Sequence, residues 1–169
     1  MYIKAIVSSA IAALAVTMVA IPAAADGHGY GRSQGPAALE GTWQVRIRPY
    51  ICATGVPLPP AAEFVSMVSF AAGGTMTETT SNPFFMPGQR SIGLGFWERN
   101  GHSSYEVVFQ AFVQFTGGNY TQGNQRVEQD IDMVDADHWN STAVVEFTDL
   151  AGTPVPPSGC MRAVGARLS

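Results

Sequence analysis

The sequence predicts an all-β domain, an eight-stranded antiparallel barrel of up-and-down topology, over residues 39–169. Three observations lead to this prediction. Runs of β-branched and aromatic residues alternate with Gly, Pro, Asn and Asp. No stretch after the amino-terminal segment has strong helical periodicity. Four of the connections are turns of three or four residues, and such turns join antiparallel neighbours.

The eight predicted strands follow one another without internal repeats. They are Gly41–Ile51, Phe64–Ala71, Thr75–Thr80, Gly93–Asn100, Ser103–Thr116, Tyr120–Val134, His138–Asp149 and Ser158–Leu168. Two connections are long and contain proline, 53–63 and 81–92, and either could cover a barrel mouth. In the first and sixth strands, apolar residues alternate with charged ones, which indicates one buried and one solvated face.

The amino-terminal residues predict export. Residues 1–25 begin with Lys4, continue through an apolar run that is short for a membrane span, and end in Ala23, Ala24 and Ala25. This pattern is typical of a cleaved signal peptide. Residues 26–38 are rich in Gly, Ser, Gln and Pro, which predicts a flexible leader. We expect a periplasmic or extracellular protein whose mature chain has no integral membrane segment.

The charge balance of the predicted mature chain limits its partners. Eight arginines, no lysine and thirteen acidic residues leave a net charge of −5. This balance argues against nucleic acid and anionic lipid. The sequence predicts neither a cofactor nor an oligomeric state.

Cys52 and Cys160 predict one disulfide, because export places thiols in an oxidising compartment. A catalytic thiol or a metal site lacks support, since no histidine lies at ligand spacing from either cysteine. A bond between these distant positions would join the first strand to the last and close the sheet. If the cysteines face each other directly, Trp43 lies diagonal to Arg167 on the opposite face of the strand pair.

Gly41-Thr42-Trp43 at the start of the first strand and Arg167 near the end of the last resemble the lipocalin-like, or calycin, barrels. The position of these residues, the eight-strand meander and the size of the domain add to the resemblance, which suggests kinship to an exported bacterial branch of that family. The resemblance implies that Trp43 closes the narrow barrel end beneath Arg167, and that neither residue touches ligand. In the alternative interpretation, Trp43 is an ordinary core aromatic and Arg167 a solvated tail residue. The sequence lacks the family's Thr-Asp-Tyr run and a carboxy-terminal helix.

The leading functional prediction is binding of a small apolar ligand in the barrel lumen. We expect the lumen to be lined by aromatic and methionine side chains, namely Phe109, Phe112, Phe115, Met67 and Met133. If Arg99 faces the lumen, it could hold a ligand carboxylate or a buried carboxylate such as Glu78. Whether the lumen is hollow or filled by side chains stays open.

Enzyme signatures are missing: there is no G-x-S-x-G, no H-E-x-x-H and no Walker loop. The three histidines fall in the leader or at turns, and the acidic run 130–137 lacks the glycine and terminal glutamate of an EF-hand, so no metal site is predicted. Two alternatives remain. One is a barrel cyclase or isomerase resembling allene oxide cyclases or dirigent proteins, with Glu78, Glu98 and Arg99 as candidates and no assigned catalytic residue. The other is a structural or interaction domain with a packed core.

Overall fold

The computed structural model describes residues 39–115 and 122–168, apart from the side chain of Pro60. The predicted signal peptide (1–25), the leader (26–38) and the turn 116–119 therefore lie outside the described residues. Within the described ranges, no helix has the length and apolar character needed to cross a membrane.

Eight strands make up the described part of the chain, and a 3-10 turn at Pro60–Ala62 is inserted between the first two. The strands are β1 (Gly41–Tyr50), β2 (Phe64–Phe70), β3 (Thr75–Thr80), β4 (Gly93–Arg99), β5 (Ser104–Val113), β6 (Gly123–Met133), β7 (His138–Asp149) and β8 (Gly159–Arg167). Each strand pairs antiparallel with the next, and β8 pairs with β1 to close the barrel. The predicted fold class and up-and-down topology are confirmed, and the architecture is consistent with a calycin-like fold.

Side chains alternate between the lumen and the solvent, as the period of two along a strand requires. On β2, Phe64, Ser66, Val68 and Phe70 are buried, while the intervening side chains lie on the outer surface. The inward aliphatic and aromatic residues form one continuous core that runs through the barrel. The fold is therefore stabilised mainly by apolar side chains that fill its own interior.

The predicted disulfide is present, with the Cα atoms of Cys52 and Cys160 5.2 Å apart. The register expected if the two cysteines were direct cross-strand partners is wrong by two residues, because Tyr50, and not Cys52, pairs with Cys160. Cys52 lies in the turn that follows β1, so it reaches the bond from outside the ladder. As a consequence, Trp43 lies directly opposite Arg167 and not diagonal to it.

One end of the barrel, here called the closed end, is sealed by Trp43. Its indole is fully buried, and Nε1 donates a hydrogen bond to the carbonyl of Leu39 at 2.8 Å. The Arg167 guanidinium lies over the ring and donates to the carbonyls of Glu40 and Ala136 at 2.6 and 3.0 Å. The opposite end, from which loops 51–63, 81–92 and 150–158 emerge, is called the open end.

Candidate functional site

The structure brings two of the predicted ligand-binding residues together in the lumen. Phe109 projects inward from β5 and Glu78 inward from β3, and both line a cavity near the open end. Met133 also faces inward, but it is partly buried and packs against the core away from this cavity. Phe115 follows β5 at the open end, where its ring contacts that of Phe147.

The predicted lumen positions of Met67 and Phe112 are wrong. Both side chains point outward and are more than half exposed, Met67 by 51% and Phe112 by 57%. Met67 alternates with the buried Ser66 and Val68, so its outward direction follows from strand geometry. On β5, apolar residues occupy both faces, and Val108 is buried on the outer surface. The alternation of residue types therefore did not predict which way Phe112 points.

Arg99 does not reach Glu78, so the proposed pairing of these two residues is also wrong. Arg99 is exposed at the closed end, where its guanidinium donates to the carbonyls of Gly101 and His102. Glu98 is exposed on the outer surface opposite Glu106. Of the three candidates for a catalytic group, Glu78 alone is buried, with 6% of its surface exposed.

The partner of Glu78 is Arg90, which the sequence analysis did not identify. Arg90 Nη2 lies 2.8 Å from Glu78 Oε2. Both side chains are almost fully buried, with 6% of the Arg90 side chain and 5% of the Glu78 side chain exposed. Because an unpaired charge is costly inside a protein, an inward glutamate signals a nearby cation. Arg99, the cation that the sequence suggested for this role, binds the carbonyl of Gly101 instead.

Backbone pairing of loop 81–92 with the end of β5 directs Arg90 into the lumen. Arg90 forms a bridge with Val113, and its neighbours extend this pairing on both sides. The amide of Gln114 donates to the carbonyl of Gln89 at 2.8 Å, and the amide of Ser91 donates to the carbonyl of Phe112 at 3.0 Å. The long loop is thereby fixed across the open end of the barrel.

Glu78 and Arg90 belong to a buried polar cluster. Ser66 Oγ donates to Glu78 Oε1 at 3.0 Å, and Arg90 Nε donates to Gln125 Oε1 at 2.5 Å. Glu78 Oε2 is close to Arg90 in distance, but no N–H or O–H group points at it with hydrogen-bond geometry. The contact between this oxygen and Arg90 is thus mainly electrostatic, and the oxygen itself is fully buried.

The cavity beside this cluster has a volume of about 50 Å³. Its polar lining includes Glu78, Arg90, Asn82, Gln125 and Gln129, and its apolar lining includes Ile47, Phe64, Phe109, Val145 and Met161. Ligand sites for drug-sized molecules usually enclose about 300 to 1,000 Å³. The lumen is therefore largely filled by side chains, and the cavity has room only for one end of a ligand.

Gly93, the cross-strand partner of Glu78, lets two lumen side chains pack against the backbone of β4. A Cβ atom at this position would lie 2.8 Å from the Phe109 ring and 3.0 Å from Glu78 Oε2. Any larger residue would therefore displace one of these two side chains. The glycine therefore lets β4 pass close to the Glu78 carboxylate.

An aromatic groove of about 230 Å³ lies at the open end. The rings of Phe85 and Phe115 both contact that of Phe147, with centroid distances of 6.4 and 6.2 Å. Phe147 is the cross-strand partner of Gln125, which lines the lumen cavity. The groove and the cavity are thus built on neighbouring positions of β6 and β7.

The described loops around the open end present apolar side chains and little charge. Ile51, Val56, Phe84, Met86 and Leu150 are each between 47% and 69% exposed. The two charged residues of these loops are engaged: Glu63 pairs with Arg48 at 2.7 Å, and Arg90 is buried. This end of the barrel has an apolar rim.

The outer surface carries the exposed charges. A depression of about 500 Å³ over β6, β7, β8 and β1 is lined by Arg46, Arg48, Arg162, Asp130 and Asp132. The last two confirm the expected solvated face of β6. Among the described residues, no three His, Cys, Asp or Glu side chains converge as metal ligands would.

Two histidines lie at exposed turns near the closed end, and His28 falls outside the described residues. His138 Nδ1 is 3.0 Å from the carboxylate of Asp135. The backbone amide of Asp137, followed by His138, lowers the pKa of Asp135 below its usual range. These contacts stabilise the turn between β6 and β7.

The chain matches no protein-family model, and no curated protein shows significant similarity to it.

Proposed function

We propose that the protein binds one small, largely apolar molecule at the open end of the barrel, with the polar terminus of that ligand directed into the lumen. The observation that carries this proposal is a buried polar cluster, Glu78 with Arg90, beside an aromatic groove. Side chains seal the closed end, so a ligand would enter from the open end. Apolar pockets with a few convergent polar groups are typical of small-molecule sites.

The proposed ligand lies nearer the mouth than the sequence analysis predicted. The lumen cavity holds about 50 Å³, whereas the groove lined by Phe85, Phe115 and Phe147 offers about 230 Å³. An apolar chain or ring therefore fits the groove, and the cavity accepts the terminal polar group. In this arrangement Phe109 and Glu78 contact the ligand terminus, and Phe115 contacts its apolar part.

We further propose that the protein is exported and is related to the bacterial exported branch of the lipocalin-like barrels. The packing of Arg167 over Trp43 is the contact that this resemblance implies. The disulfide between Cys52 and Cys160 supports an oxidising compartment. Amino-terminal sequencing of the protein recovered outside the cytoplasm tests export. The expected first residue is Asp26, and a retained Met1 would contradict cleavage.

Titration with N-phenyl-1-naphthylamine, a neutral fluorescent probe, tests ligand binding. We expect saturable binding with one probe per chain, counted by native mass spectrometry. Phe115→Ala should weaken binding about tenfold, because truncation removes apolar contact worth about 1.5 to 3 kcal/mol when fully made. Phe112→Ala is the matched control, since this exposed phenylalanine lies on the outer surface. The absence of saturable binding to the wild type would overturn the proposal.

A protein-interaction domain is the second candidate. The apolar rim at the open end and the largely filled lumen favour it. The same titration separates the two candidates, because a filled barrel that docks a protein would bind no probe stoichiometrically. The enzyme alternative keeps one supporting group, the buried Glu78, since Glu98 and Arg99 are exposed.

A further inference from the structure

We propose that the apolar rim at the open end is a membrane-docking surface, through which the barrel attaches reversibly to a neutral, zwitterionic lipid bilayer. The rim consists of Ile51, Val56, Phe84, Met86 and Leu150. This attachment goes beyond ligand binding and does not require it. Three features of the open-end loops support it: their exposed side chains, their internal hydrogen bonds and their lack of free charge.

The rim brings exposed apolar side chains from three separate loops to one end of the barrel. The loop 81–92 supplies the most exposed pair, with 62% of Phe84 and 69% of Met86 accessible to solvent. Apolar surface is costly to hydrate, and patches of it mark sites of contact with other molecules. Because the three loops surround one mouth, a broad apolar phase can take up their side chains together.

The same loops satisfy the backbone amides of their exposed apolar residues internally. The amide of Phe84 donates to Asn82 Oδ1 at 2.9 Å, and the amide of Met86 donates to Gln89 Oε1 at 2.7 Å. The amide of Ile51 donates to a carbonyl of its own loop at 2.9 Å. Eight of the eleven prolines of the chain also lie in the three loops, and proline has no amide hydrogen.

These hydrogen bonds favour lipid over a protein partner. Hydrocarbon offers no hydrogen bonds, so a segment that enters it must satisfy its backbone groups internally. A protein interface carries about one hydrogen bond per 100 to 200 Å², which requires donors and acceptors that are free to reach the partner. The amides of Phe84 and Met86 are already paired, so these residues suit a medium that forms no hydrogen bonds.

Charge is distributed unevenly along the barrel axis. The only charged residues of loops 51–63, 81–92 and 150–158 are Glu63, which pairs with Arg48, and the buried Arg90. At the closed end, by contrast, the exposed Asp135 and Asp137 lie in one turn. An end without free charge can enter the bilayer surface without removing water from an ion. The net charge of −4 disfavours anionic lipid, so the expected partner is a neutral bilayer.

Flotation with vesicles of phosphatidylcholine tests the inference. Phe84→Ser, Met86→Ser should weaken binding about tenfold, because it removes two apolar side chains from the rim. Phe96→Ser, Met67→Ser is the matched control, since it removes the same residue types from the outer wall, where they are 55% and 51% exposed. This control should stay within about twofold of the wild type. All three proteins carry the same amino terminus, so residues 1–25 cannot account for a difference between them.

Salt and lipid charge distinguish apolar docking from electrostatic attraction. An increase from about 0.1 M to about 1 M sodium chloride should leave binding to phosphatidylcholine unchanged or stronger, because salt screens only the interactions of charges. Vesicles with equal parts of phosphatidylcholine and phosphatidylglycerol should bind less protein, since both surfaces are then negative. Binding that requires phosphatidylglycerol, or that is lost at high salt, would overturn the inference.

Quenching by brominated phosphatidylcholine locates the contact on the barrel. Phe84→Trp places an indole at the rim, whereas the native Trp43, Trp97 and Trp139 lie toward the closed end. We expect vesicles to quench the added fluorescence of Phe84→Trp and to leave that of Phe96→Trp, on the outer wall, unquenched. Quenching of both variants to the same extent would show that the rim is not the docking surface.

Three further outcomes would overturn the inference. They are equal vesicle binding by the two double variants, no vesicle binding by the wild type, and a dimer in sedimentation velocity that only the rim substitutions dissociate. The dimer would assign the rim to a second copy of the chain. Titration with N-phenyl-1-naphthylamine in lipid-free buffer measures ligand binding separately, so a failure of docking leaves the proposed function standing.

Discussion

Arg167 lies directly across the barrel seam from Trp43, with its guanidinium carbon 4.1 Å from the centre of the indole ring. The two residues belong to β8 and β1, so their contact joins the last strand to the first. Trp43 also packs against Trp139 at 6.1 Å, which links the seam to the core of the closed end. This cluster both seals the barrel and completes its ring of strands.

Arg167→Met should lower the free energy of unfolding by about 2 kcal/mol. Methionine retains aliphatic cover over Trp43, but it loses the cation–π contact and the hydrogen bonds to the carbonyls of Glu40 and Ala136. Urea denaturation followed by tryptophan fluorescence measures the change. Arg126→Met is the control, because Arg126 pairs with the exposed Glu128. This substitution should lower the free energy of unfolding by less than about 1 kcal/mol. Equal effects of the two substitutions would contradict a special role for Arg167.

Removal of the disulfide should destabilise the barrel by about 2 to 5 kcal/mol, because the bond closes a loop of 108 residues and restricts the unfolded chain. Thermal unfolding of Cys52→Ala, Cys160→Ala in oxidising buffer measures this loss. The wild-type protein with reductant is the matched control and should melt near the double variant. An unchanged melting temperature in the variant would show that the strand seam alone holds the two ends together.

The strand pattern was predictable because alternation and short turns are local signals. Thr75–Thr80 and His138–Asp149 have the predicted bounds residue for residue. The register of the seam depends on where a strand ends, and that was not visible in the sequence. β1 ends at Tyr50, and Cys52 belongs to a turn closed by the carbonyl of Ile51, so the disulfide does not mark a cross-strand pair.

The site was only partly predictable, because its residues meet through a long loop. Glu78 and Phe109 could be proposed from their strands, but the position of Arg90 depends on loop 81–92 returning to pair with Val113. No local pattern in this proline-containing segment predicts that the loop pairs with the end of β5. Phe112 shows a second limit: where both faces of a strand are apolar, alternation cannot say which side faces the lumen.

Gly165→Ala should disrupt the closed end. Gly165 faces inward on β8, and a Cβ atom there would fall within the indole of Trp139, which in turn contacts Trp43. Overpacking of this kind costs about 1 to 3 kcal/mol. Near-ultraviolet circular dichroism should show a changed tryptophan signal, and urea denaturation should show the lost stability.

Gly159→Ala is the matched control for this change. Gly159 lies on the same face of the same strand, and its added Cβ would meet Val145 at 3.8 Å, an ordinary van der Waals distance. We expect this variant to remain within about 1 kcal/mol of the wild type. If both alanine variants lose stability equally, the cost arises from the strand backbone and not from the indole.

Arg90→Met should destabilise the protein by about 3 to 5 kcal/mol, because it leaves the Glu78 carboxylate buried without its partner. The double variant Glu78→Met, Arg90→Met should recover most of that loss, since methionine side chains fill a similar volume without charge. A double-mutant cycle on urea denaturation measures the coupling between the two residues. The cycle for Arg48 and Glu63, an ion pair at 2.7 Å whose side chains are 58% and 25% exposed, is the control and should give at most about 1 kcal/mol. Coupling of equal size in both cycles would mean that burial does not strengthen the ion pair in the lumen.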